Sequence, residues 1–147
     1  MSIRKTIRDN VKATLLADPT VAALVGTDVA IGQDNVTESA SWPAIYIVPI
    51  RDETDTHTLS VPRQQMRRMT LTIEYWVKPT DEATPVEDEI DTGADAIADA
   101  MLADTTQGGA CQDTLLTSLE YMIEGREDSR YGVGRISFTT IYFTRES

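Results

Sequence analysis

A single histidine, a single cysteine and a row of aspartates are the residues of this 147-residue chain that could carry chemistry. A hydroxyl–imidazole–carboxylate relay needs each of its groups held in place. Ser60 and Asp55 lie near His57, but the segment around them is polar and irregular, so nothing in the pattern fixes them. His57 reads as an exposed loop residue. Cys111 follows Gly108-Gly109-Ala110. A nucleophilic thiol needs a neighbouring base or a helix N-terminus to lower its pKa. The spacing supplies neither, so Cys111 reads as a plain thiol. A lone cysteine also forms no internal disulfide, which fits a reducing compartment.

Asp88, Asp91, Asp95 and Asp99 recur on one face of a helical pattern. Protein calcium sites mix carboxylates with backbone carbonyls on a looped chain. A row along one helix lacks that mixture. It reads as a solvated face, or as an electrostatic surface that repels polyanions. Gly132-Val133-Gly134 is a G-x-G, but it runs into a strand pattern, whereas a phosphate loop runs from a strand into a helix. Turn or bulge glycines are the expectation. No catalytic residue, no cofactor and no metal site is expected.

Charge narrows the partners. The formal net charge is -11, against the clustered Lys and Arg that phosphate binding needs. The excess is local. Residues 1–70 hold 8 bases and 8 acids, residues 71–147 hold 5 bases and 16 acids, and 9 acids with no base fall between Asp81 and Asp104. Arg63, Arg67 and Arg68 form the basic cluster in mid-chain, with Arg51 at the start of the same segment. Beside so acidic a remainder, these arginines read better as a patch meeting an acidic neighbouring subunit than as a nucleic-acid site; a plain solvated surface stays open.

Stepping from residues to elements, Met69 to Val77 alternates in polarity like a half-buried strand, and Lys78-Pro79 ends it. Ile3, Ile7, Val11 and Leu15 recur every four residues and predict a helix over 3–17, stopped at Asp18-Pro19. A short helical turn over Thr20–Val25 would end at Gly26. Val29–Ile31 reads as a short strand and Gln33–Ser41 as a loop. Ala44–Ile50 is an apolar run suited to a strand buried on both faces. Residues 51–65 form a long polar loop or a protruding β-arm. Val86–Ala103 is an amphipathic helix with Glu87, Asp88 and Glu89 in its first turn. Gly93 weakens its middle, which a helix accepts where something packs closely. Residues 114–123 fit a strand and a helix equally by spacing; a strand gives the last strand, 134–143, an antiparallel neighbour. The sum is a single domain over 1–147 of α+β class: a mostly antiparallel sheet of about four strands, two helices packed on one face, and a long loop or β-arm at 51–68. No apolar run reaches the roughly 20 residues of a membrane span. The amphipathic start lacks the apolar stretch of a signal peptide, so export is not expected.

Three stretches resemble the tail terminator (tail completion) proteins of long-tailed bacteriophages. Leu15-Leu16-Ala17-Asp18-Pro19-Thr20-Val21-Ala22-Ala23-Leu24-Val25-Gly26 is similar to that family's first helix and following turn. Trp42-Pro43-Ala44-Ile45-Tyr46-Ile47 resembles its aromatic-proline entry into a long strand, and residues 131–142 resemble its closing strand. The resemblance spans most of the chain and is one of arrangement, since the family has no invariant motif. It implies a non-enzymatic virion protein at the tail–neck junction, assembled in the host cytoplasm. It further implies a hexameric ring that caps the tail tube, ends its polymerisation and joins the major tail tube protein to a head-side connector or stopper. DNA would pass through the lumen without specific binding. On that implication Arg51, His57, Arg63, Arg67 and Arg68 would sit at a subunit interface, and Asp88, Asp91, Asp95 and Asp99 would line an acidic lumen. The alternatives are another head–tail connector (neck or stopper) protein, or a small ligand-binding α+β domain.

Overall fold

The apolar row of the first helix, α1 (Ile3–Ala17), is sunk completely: Ile7, Val11 and Leu15 are fully buried. Each contributes roughly 1.5–3 kcal/mol of burial. The structure is a computed structural model that describes residues 3–26, 29–32, 43–56, 64–78, 85–124 and 131–145. Asp18 does more than end α1. Its carboxylate accepts from the backbone N–H of Thr20 and Val21 at 2.9 and 3.0 Å and so caps a separate helix, α2 (Pro19–Val25), with proline at its first position. Gly26, at φ +62°, closes α2 by donating to the Ala22 carbonyl. The third helix, α3 (Val86–Leu102), has Pro85 at its N-cap and no side-chain cap; its three first-turn acids complement the exposed backbone donors instead.

Five strands follow the order β1-β2-β3-β5-β4 in one sheet: β1 (Val29–Ile31), β2 (Ala44–Thr56), β3 (Gln64–Val77), β4 (Asp113–Glu124) and β5 (Tyr131–Arg145). Only β1 runs parallel to its neighbour, pairing Val29–Ile31 with Ile45–Ile47; the other pairs are antiparallel. The α+β architecture is the expected one. The short helix read over 20–25 and the short strand read over 29–31 both form, which makes five strands and three helices among the described residues; Asp18 restarts the chain as a helix cap, and β2 offers β1 an edge.

The core lies between the helices and one sheet face. Met69, Leu71, Ile73, Tyr75 and Val77 of β3 meet Ile136, Phe138 and Tyr142 of β5 there, under Ile90, Ile97 and Met101 of α3. The half-buried reading of β3 needs correction, because residues 71–77 are buried on both faces. The second face carries its own cluster of Ala44, Tyr46, Trp76 and Val133. Trp76 stacks on Tyr131 at 5.5 Å and receives the edge of Tyr46 at 6.2 Å. Glu74 is 3% exposed, and it accepts from Trp76 Nε1 and Arg135 Nε, both at 3.1 Å. A polar residue in the alternating pattern therefore marks a buried charge-assisted pair, not a wet face.

The arm has a definite form over its described part. Residues 51–56 of β2 and 64–68 of β3 are paired strand, and the far end of β3 is also paired to β5, down to Gln64 with Arg145. A register shift between Pro49 and Arg51 marks where the proline interrupts the ladder.

Candidate functional site

Chemistry at Cys111 is suppressed by its surroundings. The thiol is buried, with the Thr105 and Asp113 carbonyls 3.5 Å from Sγ and the Thr114 hydroxyl at 3.7 Å. Desolvation raises its pKa, outweighing those hydrogen bonds. It belongs to a knot in the α3–β4 connection that the sequence did not signal. Gln107, 1% exposed and at φ +50°, donates to the Asp104 carbonyl and to Thr114 and accepts from Asn10 of α1. No group of His, Cys, Asp and Glu able to hold a metal occurs among the described residues, and none of their helices is long and apolar enough to cross a membrane.

The glycines at 132 and 134 have a role other than turn or bulge. Both pair in regular register within β5. A Cβ at Gly132 would lie 2.8 Å from Ile90 and Val86, and one at Gly134 2.7 Å from Ile90. They let α3 approach the sheet closely. Gly93 does the same from the helix side, where a Cβ would overlap the Tyr75 ring.

What remains is surface, and it is polarised. Asp88, Asp91, Asp95 and Asp99 are all exposed along α3, which lies over β3, β5 and β4. The Tyr121 hydroxyl donates to Asp91, and that bond is the main reason the Tyr121 pKa is raised. On the opposite side, α1 packs beside β1. Arg4, Arg8, Arg51 and Asp52 line a cleft of about 340 Å³ with Pro49, Ile50 and Met69.

Of the arginines singled out by sequence, Arg51 pairs with Glu53 at 3.1 Å on the surface. Arg67 turns back onto its own chain. It reaches Asp52 at 3.4 Å, where Arg4 also arrives at 3.6 Å and the Tyr142 hydroxyl donates at 2.5 Å. Burial first, then Asp52, pushes the Tyr142 pKa up to about 12. Asp52 Oδ1 and Arg67 Nε are buried and have no hydrogen-bond partner among the described residues. Arg68 is exposed on the same hairpin. His57 and Arg63 lie outside the described residues. The Asp52 hub was invisible in sequence, because nothing distinguishes Asp52 from its neighbours Glu53 and Asp55.

A further surface stands beside the acidic helix. Leu115, Leu116, Leu119, Tyr121 and Ile123 of the edge strand β4 are exposed, between 38% and 49%. Long exposed apolar edges are a liability that monomers normally blunt.

The family model described as tail completion protein gp17 matches residues 9–142. No curated protein sequence matches the chain. Among solved structures, a chain of the virion of the native gene transfer agent particle is similar, with a TM-score of 0.54 and 13% identity, covering 89% of this chain and 90% of that one. At that identity the likeness is one of fold.

Proposed function

The chain belongs to the tail completion protein gp17 family, and from that premise we propose that it is a structural, non-enzymatic component of a phage virion, which closes the tail tube as a hexameric ring. The ring ends tube polymerisation and joins the major tail tube protein to a head-side connector or stopper at the tail–neck junction. Assembly takes place in the host cytoplasm, and DNA passes through the lumen. The observation that carries this reading is the polarised surface. A monomeric protein has little use for an exposed apolar edge strand flanked by one acidic and one basic side, whereas ring subunits need two different, complementary faces.

The exposed row Asp88, Asp91, Asp95 and Asp99 suits a lumen wall, since an acidic lining keeps a passing duplex from adhering. The β2–β3 arm carries Arg51, Arg67 and Arg68 within its described residues, and His57 and Arg63 belong to the same stretch of sequence. It suits a contact with an acid-rich neighbour.

The test is the mass of the purified protein by light scattering, with imaging of any large species. The expected result is a closed particle near six times the 16.2 kDa protomer mass, with a central hole. A particle that binds isolated connector rings and ignores tail tubes would move the protein to another position in the neck. A protein that is monomeric and binds neither would overturn the reading.

A further inference from the structure

Two separated surfaces have matching chemistry. The first is the β4 edge. Its pairing with β5 places Leu116, Leu119, Tyr121 and Ile123 opposite Phe138, Ile136, Gly134 and Gly132, the β5 positions that face α3 and the core. These four side chains lie on the helix side of the sheet yet remain 38–49% exposed. Asp91, holding the Tyr121 hydroxyl, forms their acidic rim. The second is the far side of the sheet. β1 covers only Ile45–Ile47 of β2, so among the described residues β2 from Val48 to Thr56 is a second sheet edge. The cleft of Arg4, Arg8, Pro49, Ile50, Arg51, Asp52 and Met69 opens there. Ile50 is 56% exposed beside it, and the buried Asp52 Oδ1 has no partner among the described residues.

We propose that the acidic, apolar β4 edge of one copy docks onto the basic β2–α1 cleft of a second copy, so that subunits join head to tail through their opposite sheet edges. The inference rests on the ring reading and gives it a specific interface. The occupant is a second copy because this chain itself carries the complement. An acid-rimmed apolar strip on one side answers an arginine-lined cleft with an exposed isoleucine on the other. Two unlike patches on opposite sides make a heterologous contact, which repeats from copy to copy rather than stopping at a dimer and gives a ring where the rotation closes. Apolar burial supplies the affinity, and the Asp91–arginine complementarity supplies register. The aspartate row borders the contact: Asp91 holds the Tyr121 hydroxyl and the charge of Asp95 also acts on it, so the part of the row nearest Tyr121 rims the interface and the rest of the exposed row stays free to line a lumen. Arg8 and Arg51 are neutralised in the interface, so an acidic lumen and basic residues coexist in one ring.

The experiment blocks each face separately. Asp91→Lys with Leu119→Lys blocks the β4 edge, and Arg8→Glu with Arg51→Glu blocks the cleft; Asp91, Leu119 and Arg51 are exposed and Arg8 is half-buried, and thermal melts verify folding. Each blocked protein is expected at protomer mass where the parent protein is multimeric. Their equimolar mixture is expected at twice that mass and no higher, because it holds one intact edge and one intact cleft. A second measurement captures weak association. Leu119→Cys protein mixed with Ile50→Cys protein under mild oxidation is expected to give a disulfide-linked pair, and either alone far less of it. Blocked proteins that assemble like the parent, or a multimeric parent whose cysteine pair does not cross-link, overturn this interface and leave the ring standing. A monomeric parent that still cross-links supports the interface and counts against a ring in the free protein. A monomeric parent with no cross-link overturns this interface, and the ring reading then falls only if the protein also binds neither tail tubes nor connector rings.

Discussion

Gly93 and Tyr75 show how a single residue can be read against its propensity. Replacing a helix-interior glycine with alanine ordinarily stabilises by roughly 1 kcal/mol. At Gly93 the added Cβ would overlap the Tyr75 ring. Tyr75 is 3% exposed and wedged between α3 and β3, so it has little room to retreat. Gly93→Ala is therefore expected to destabilise by about 1–3 kcal/mol, read as a lower melting temperature. The sequence pointed to close packing at Gly93 through its cost, but did not name the tyrosine.

The same ring makes a pH prediction. Burial, and then the charge of Glu89, raises the Tyr75 pKa from 10.0 to about 12; burial and Asp52 do the same for Tyr142. A phenol is charged when deprotonated, so a raised folded pKa means the fold favours the neutral form. That stabilisation is fully present below pH 10, and is lost as pH rises from about 10 to 12. Phenolate absorbance should show Tyr75 and Tyr142 titrating late in the folded protein, with stability falling across that window. Tyrosines that all titrate near 10 in the folded protein would contradict the packing of both.

Among the elements, β4 best shows what spacing alone leaves open. Residues 114–123 fit both a strand and a helix because the pattern is a strand with a step in it. Thr117 is a bulge, at the register shift between Leu116 and Ser118. It leaves Thr114 and Leu116 before it, and Leu119, Tyr121 and Ile123 after it, on the same face. The apolar residues thus lose strict alternation and mimic a helical spacing. Deleting Thr117 removes the extra residue and leaves Thr114, Leu116, Leu119, Tyr121 and Ile123 alternating strictly in their present register with β5, at the loss of the hydrogen bond from Thr117 to the Ser137 carbonyl. The expected result is a change of no more than about 1 kcal/mol in denaturant unfolding. A loss of about 3 kcal/mol or more would mean that the bulge itself is needed to set the face of β4.

The other elements were legible to different degrees. Helices α1 and α3 were plain, because each has one stripe and one place to bury it. β3 was plain as a strand but not in its burial. Glu74 and Thr72 look like a wet face until Arg135 and Ser137 arrive from β5, 61 and 65 residues away in sequence. In sequence Asp18 reads as a stop, because Asp-Pro is both the end of one helix and the start of the next.

At the scale of the whole molecule, the surplus of acid in the second half of the chain was visible from sequence, but its placement was not. Folding carries the acids of α3 toward the β4 side of the sheet and the arginines of α1 and β2 toward the other, which turns a gradient along the chain into a polarity across the protein. Such a polarity suits a subunit that must meet its own copies in one direction. A pocket with converging polar groups would have suited a small-ligand binder. The cleft found here is instead an open surface feature at the sheet edge, beside an exposed isoleucine.

A protein that completes a tail tube sits at the tube end, which is tested by adding it, labelled, to tubes of the matching tail tube protein and imaging where it binds. It is expected at one end of each tube, one ring per tube, with tubes that stop growing once capped. Label scattered along the tube walls, or tubes that lengthen as freely with the protein as without it, would contradict the claim.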